Sequence, residues 1–121
     1  MDRVRRLGLS RDMPALLDAA DGFVLASVWE GMPLVVGEAM AMEKPVVATD
    51  VGGVSELVGD IAALVPARNP EALARAMLNV MQQTSDARRA LGCEARARIV
   101  TQFNAAIRFP EWEAFYCSLL A

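Results

Sequence analysis

The chain has 121 residues, 55% of them hydrophobic and 22% charged, with a net charge of -3 and no histidine. That length suits one domain with a real core, and the charge leaves no electrostatic footprint for nucleic acid. The missing histidine excludes Ser-His-Asp and Cys-His nucleophilic schemes and histidine metal sites.

No apolar run reaches the length of a membrane span, and the first residues lack the apolar core of a signal peptide. A cytoplasmic protein is expected, with membrane-peripheral association as a second option. Cys93 and Cys117 stand far apart without metal or redox spacing, so buried or free thiols are expected. No Asp-x-Asp pair is present, which argues against a metal-bridged diphosphate; no metal and no cofactor are expected. Nor does a GxGxxG follow a strand.

Arg3 to Leu7 forms a short candidate strand closed by Gly8. Its arginines, with Arg11, read as a solvated edge. Ser10 or Asp12 caps a helix through Ala20, with Pro14 near its first turn. Gly22 to Ser27 is a second strand, short and apolar. Pro33 suits the first position of a helix running to Glu43.

Glu43-Lys44 form a polar turn before Pro45-Val-Val-Ala-Thr49, whose unbroken apolar character fits a strand buried on both faces of a parallel sheet. Gly52 and Gly53 then serve either a turn or a ligand loop, and the sequence leaves both open. Glu56 belongs either to a capping arrangement or to a ligand contact. Ile61 to Val65 gives a fourth strand.

Asn69 caps and Pro70 starts a helix through Gln82, with Leu73, Met77 and Val80 on its apolar stripe. Ser85-Asp86 open another, to about Phe103, whose Arg88, Arg89, Arg96 and Arg98 read as a solvated face. The seven methionines read as core filler. The last segment places Trp112, Phe115, Tyr116, Leu119 and Leu120 at helical spacing, a stripe expected in the core. Pro110 should start or kink that helix.

The chemistry concentrates at Ser27 to Met42, which reads strand, tight loop, helix. At the carboxyl end of a parallel strand such a junction is where ligands sit. The N–H groups of Leu34 and Val35 fall in the first turn and have no partner inside the helix, so they suit an anion such as a phosphate. Glu38 lies about 7.5 Å along the axis from Pro33, and helical side chains lean toward the N-terminus. A carboxylate there can accept two hydrogen bonds from a vicinal diol. An anion beside a diol describes a nucleoside diphosphate, with Glu38 on the ribose. Glu30, in the loop, then faces the far side of the phosphates, where a transferred group would be.

Glu30-Gly-Met-Pro-Leu-Val-Val-Gly-Glu38, two glutamates separated by seven residues, resembles the signature of the group 1 (family 4) glycosyltransferases. These are retaining enzymes of the GT-B fold that use nucleotide-sugar donors. Ala19-Ala-Asp21, Val24-Leu-Ala-Ser27, Pro45-Val-Val-Ala-Thr-Asp50, Gly52-Gly53 with Glu56, and Leu64-Val-Pro66 agree with that family in order and spacing. The likeness extends from Val4 to the C-terminus. Ser55, where the family often has proline, and the short Gly59-Asp60 connection depart from it.

The resemblance implies an α/β, partial Rossmann-like three-layer domain with about four mostly parallel strands. It corresponds to the later part of a GT-B C-terminal domain, spanning residues 1–121 as a single truncated unit. Glu30 takes the catalytic position. Glu38, Gly31, Met32, Leu34 and Val35 bind the nucleoside diphosphate sugar, and Gly52 and Gly53 form a further donor loop.

An N-terminal acceptor domain is implied as a missing partner, together with the arginine and lysine that face the diphosphate in the family. The chain alone is expected to be inactive. Two strands are also missing between the counterparts of Arg3–Leu7 and Gly22–Ser27. The first strand must slide inward, pair with another molecule or detach, so self-association is expected. The rival readings are a non-catalytic folding or interaction module and a nucleotide-sugar epimerase-like GT-B fragment.

Overall fold

A computed structural model of the chain describes residues 3–120. It opens with α1 (Met13–Ala19), where Asp12 Oδ1 accepts the Ala15 N–H at 3.1 Å and Pro14 occupies the first turn. Then come β1 (Phe23–Leu25), α2 (Leu34–Ala41), β2 (Val46–Thr49), α3 (Val54–Val58) and β3 (Ala63–Val65). The chain ends in three helices, α4 (Pro70–Gln82), α5 (Ser85–Gln102) and α6 (Ala105–Leu120). Local chemistry sets the starts of α4 and α5. Asn69 Oδ1 accepts from Ala72 N–H at 3.0 Å, and Thr84 Oγ1 from Ala87 N–H at 3.2 Å.

The sheet is parallel, in the order β1-β2-β3. Phe23, Val24 and Leu25 stand opposite Val46, Val47 and Ala48, and Val47, Ala48 and Thr49 opposite Ala63, Leu64 and Val65. All four residues of β2 are buried, as its apolar run requires between two layers. Val46 and Ala48 face a core shared with Leu17, Val36, Ala39, Met40, Leu57 and Ala95. Val47 and Val65 face Ala76, Leu73 and Val80 of α4 on the other side. Helices therefore cover both faces, the α/β three-layer arrangement, here with three strands among the described residues.

Several expectations change. Arg3 to Leu7 is not a strand: the segment is exposed, without regular structure, and pairs with no strand of the described chain. It has not slid inward to join the sheet of this chain. The Ile61 strand begins only at Ala63, since Ile61 N–H closes a turn onto Val58 O at 3.4 Å. Pro33 is the cap of α2 rather than its first residue, with ψ 105 and no side-chain capping bond. Val54–Val58 is a short helix that the sequence pattern did not reveal.

The arginines of α5 do more than solvate a face. Arg98 donates from Nε to Leu57 O at 2.9 Å and from Nη2 to Glu56 O at 2.8 Å, tying down the end of α3. Arg96 Nη1 donates to Ala41 O at 2.8 Å and so satisfies the end of α2. Close crossing of α5 over that end needs Gly92, where a Cβ would stand 2.0 Å from Glu43 O. Arg88 Nη1 bonds Gln83 O at 2.6 Å.

The aromatic stripe is a further correction. No residue of α6 is buried, and Trp112 and Tyr116 are 54% and 58% exposed. Asn104 opens α6, its Oδ1 accepting from Ala106 N–H at 2.9 Å, and the helix continues through Pro110 rather than starting there. The rings of the stripe pack on each other, Trp112 stacking on Tyr116 at 5.8 Å. Of the methionines, Met40 is in the core while Met32 and Met81 are exposed. Both cysteines are free and exposed.

Candidate functional site at the carboxyl ends of two strands

The loops after β1 and β2 emerge side by side at the carboxyl end of the sheet, and backbone contacts stitch them together. Gly53 N–H donates to Gly31 O at 2.7 Å. Gly52 has φ 53, and a Cβ there would lie 1.8 Å from Glu30 O; one on Gly53 would lie 2.9 Å from Gly31 O. The pair of glycines thus lets the second loop press directly on the Glu30-Gly31 backbone. That contact accounts for both glycines structurally, whatever else the loop touches.

Side chains extend the link. Thr49, buried to 4% exposure at the end of β2, donates Oγ1 to Ser27 O at 2.6 Å. Ser27 in turn donates Oγ to Glu30 Oε1 at 2.6 Å. Glu30 is half-buried, whereas Trp29, Gly31 and Met32 beside it are exposed. Sequence reading placed Ser27 and Thr49 on their elements without assigning them a part in the site. The available signal was a hydroxyl residue three positions before Glu30, a spacing suited to a local side-chain bond.

Helix α2 begins beyond this loop. Val36 N–H closes onto Pro33 O at 3.1 Å, while the N–H groups of Leu34 and Val35 have no acceptor among the described residues. Val36, Ala39 and Met40 bury one side of the helix. Leu34 and Glu38, four residues apart, share the exposed side. The Glu38 side chain makes no hydrogen bond or ion pair among the described residues. The helix end therefore offers two unpaired donors, and an unpaired carboxylate lies one turn along the same side.

No ion pair among the described residues involves Glu30 or Glu38. Lys44 lies past the opposite end of α2 and donates to Asp18 O at 3.0 Å. Glu56 is exposed in the first turn of α3, and its side chain forms no capping bond. Among the described residues, no group of three His, Cys, Asp or Glu is placed to hold a metal ion. No helix of the described chain is long and apolar enough to cross a membrane.

This architecture is that of part of a GT-B glycosyltransferase domain. The chain superposes with TM-score 0.81 and 32% identity on sucrose-phosphate synthase from Thermosynechococcus elongatus, over 89% of this chain and 27% of that one. The family model for glycosyl transferases group 1 matches residues 1–83, and the chain belongs to that family. It is 49% identical over 57 residues to the lipopolysaccharide core biosynthesis mannosyltransferase LpsB of Rhizobium meliloti, covering 47% of this chain and 16% of the relative. With the amylovoran biosynthesis glycosyltransferase AmsK of Erwinia amylovora it shares 32% identity over 118 residues, 89% of this chain and 29% of the relative. The chain thus spans less than a third of the length of any of these three.

Proposed function

We propose that this chain is the donor-binding part of a retaining, family 4 glycosyltransferase. In the longer protein it carries a hexosyl group from a nucleoside diphosphate sugar to an acceptor held by an N-terminal domain. The observation that carries the reading is the pairing at α2: unoccupied N–H groups on Leu34 and Val35, with unpaired Glu38 on the same side of the helix. The donors and the helix dipole receive the diphosphate. Glu38 accepts from the ribose hydroxyls. Glu30 accepts from the sugar, with Gly31 and Met32 lining the loop and Gly52-Gly53 behind it. No metal or other cofactor is called on.

Stabilising a departing diphosphate takes positive charge, and among the described residues no ion pair or side-chain hydrogen bond ties a cation to Glu30 or Glu38. It therefore binds donor weakly and does not turn it over alone. Calorimetry of the chain with UDP, GDP, UDP-glucose and GDP-mannose tests this. One nucleotide pair is expected to bind in the range of about 0.1–1 mM. Glu38→Ala should weaken that binding about tenfold, the loss of roughly one charge-assisted bond, without changing the melting temperature. Absence of heat with all four at millimolar protein would favour a non-catalytic module.

A further inference from the structure

We propose that Ser27 is a positioning residue for the Glu30 carboxylate, and that Thr49 supports it from the sheet. The assignment rests on the donor-site reading for its consequence and on the hydrogen-bond chain for its geometry. Glu30 sits in a loop with exposed residues on both sides, and a glutamate so placed ordinarily samples many rotamers.

Here its Oε1 is held by Ser27 Oγ at 2.6 Å, the length of a charge-assisted O–H···O⁻ bond. Ser27 is itself held, because its carbonyl accepts from Thr49 Oγ1 at 2.6 Å and Thr49 is locked in the fully buried strand β2. The Glu30 carbonyl lies close against Gly52, where an added Cβ would clash with it. The side chain of Glu30 is thus referred to β2, and its backbone to the loop that follows β2.

The arrangement leaves a definite vacancy in hydrogen bonding. Ser27 uses Oε1, while Oε2 has no partner among the described residues. A carboxylate oriented by one oxygen and open at the other suits a hydroxyl group of a polyol. Ser27 therefore governs recognition of the sugar and not of the nucleotide, which lies toward α2.

Two measurements on the whole chain test the proposal. Without any ligand, Hα–Hβ couplings of Glu30 should report one dominant rotamer, averaged in Ser27→Ala and restored in Ser27→Thr. With ligand, Ser27→Ala should lower affinity for UDP-glucose or GDP-mannose about tenfold, the worth of one such bond, and leave UDP or GDP unchanged. Thr49→Val should produce a weaker version of both effects. Should Ser27→Ala fold poorly, Ser27→Cys keeps a side chain of similar size with a weak donor and should show the same averaging.

A single Glu30 rotamer in Ser27→Ala, or equal losses for nucleotide and nucleotide sugar, would overturn the assignment. If the unmodified chain binds no nucleotide, the donor reading fails, while the couplings still decide whether Ser27 orients Glu30.

Discussion

Gly52 and Gly31 stand in the same site, yet substitution should affect them very differently. Alanine at Gly52 adds a Cβ 1.8 Å from Glu30 O at a φ of 53, so both sterics and backbone conformation oppose it. A loss of about 2 kcal/mol or more follows, visible as a fall of roughly 10 °C in the melting temperature. A Cβ at Gly31 meets nothing within 4 Å, and Gly31→Ala should be neutral within about 0.5 kcal/mol. If the two variants melted together, the pressed contact between the loops would not be a real source of stability. At this scale the sequence was partly legible: two adjacent glycines announced a special backbone, but their target, the Glu30 carbonyl 22 positions earlier, is not a local signal. Glu38 was legible for the opposite reason, since its placement depends only on helical geometry from Pro33 onward.

The same division between local and distant causes runs through the elements. Helix α4 was readable because Asn69 and Pro70 act within three residues, and β2 because an unbroken apolar run needs no knowledge of its partners. The five residues of α3 are too few for a periodicity to emerge, and the Arg3–Leu7 strand depended on a neighbour that is not there. The arginines of α5 show the limit most clearly. Their charge predicted exposure, yet Arg98 uses a fork of two donors on the final carbonyls of a helix that the pattern had hidden. Removing the fork leaves the Glu56 and Leu57 carbonyls unpaired. Arg98→Ala should therefore cost about 1–2 kcal/mol, measured by urea unfolding. Arg98→Lys should cost nearly as much, because an ammonium cannot reproduce the planar pair of bonds. Full stability in Arg98→Lys would mean that charge alone, rather than the fork, holds α3.

For the whole molecule, the decisive fact is that the sheet ends at β1. That strand pairs with β2 on one side only, so its other edge carries unpaired backbone groups. Beside it, Val24 is 40% exposed and lines an open, mostly apolar groove of about 390 Å³ with Phe23, Val47, Met77 and Met81. An open edge next to apolar surface is a template for another chain, and no proline or lysine within β1 blunts it. A second copy is a covering group of matching chemistry. Self-association is accordingly expected, with the weight-average mass in sedimentation rising as concentration increases from about 10 μM toward 1 mM, a range in which weak pairing becomes populated. Val24→Lys should return the mass to that of a monomer by placing a charge in the groove. Trp112→Glu on α6 separates this from association through the exposed aromatic stripe. If Trp112→Glu abolishes the pairing and Val24→Lys does not, the contact belongs to α6. A constant monomeric mass throughout would show that three strands and their helices close the sheet adequately without a partner.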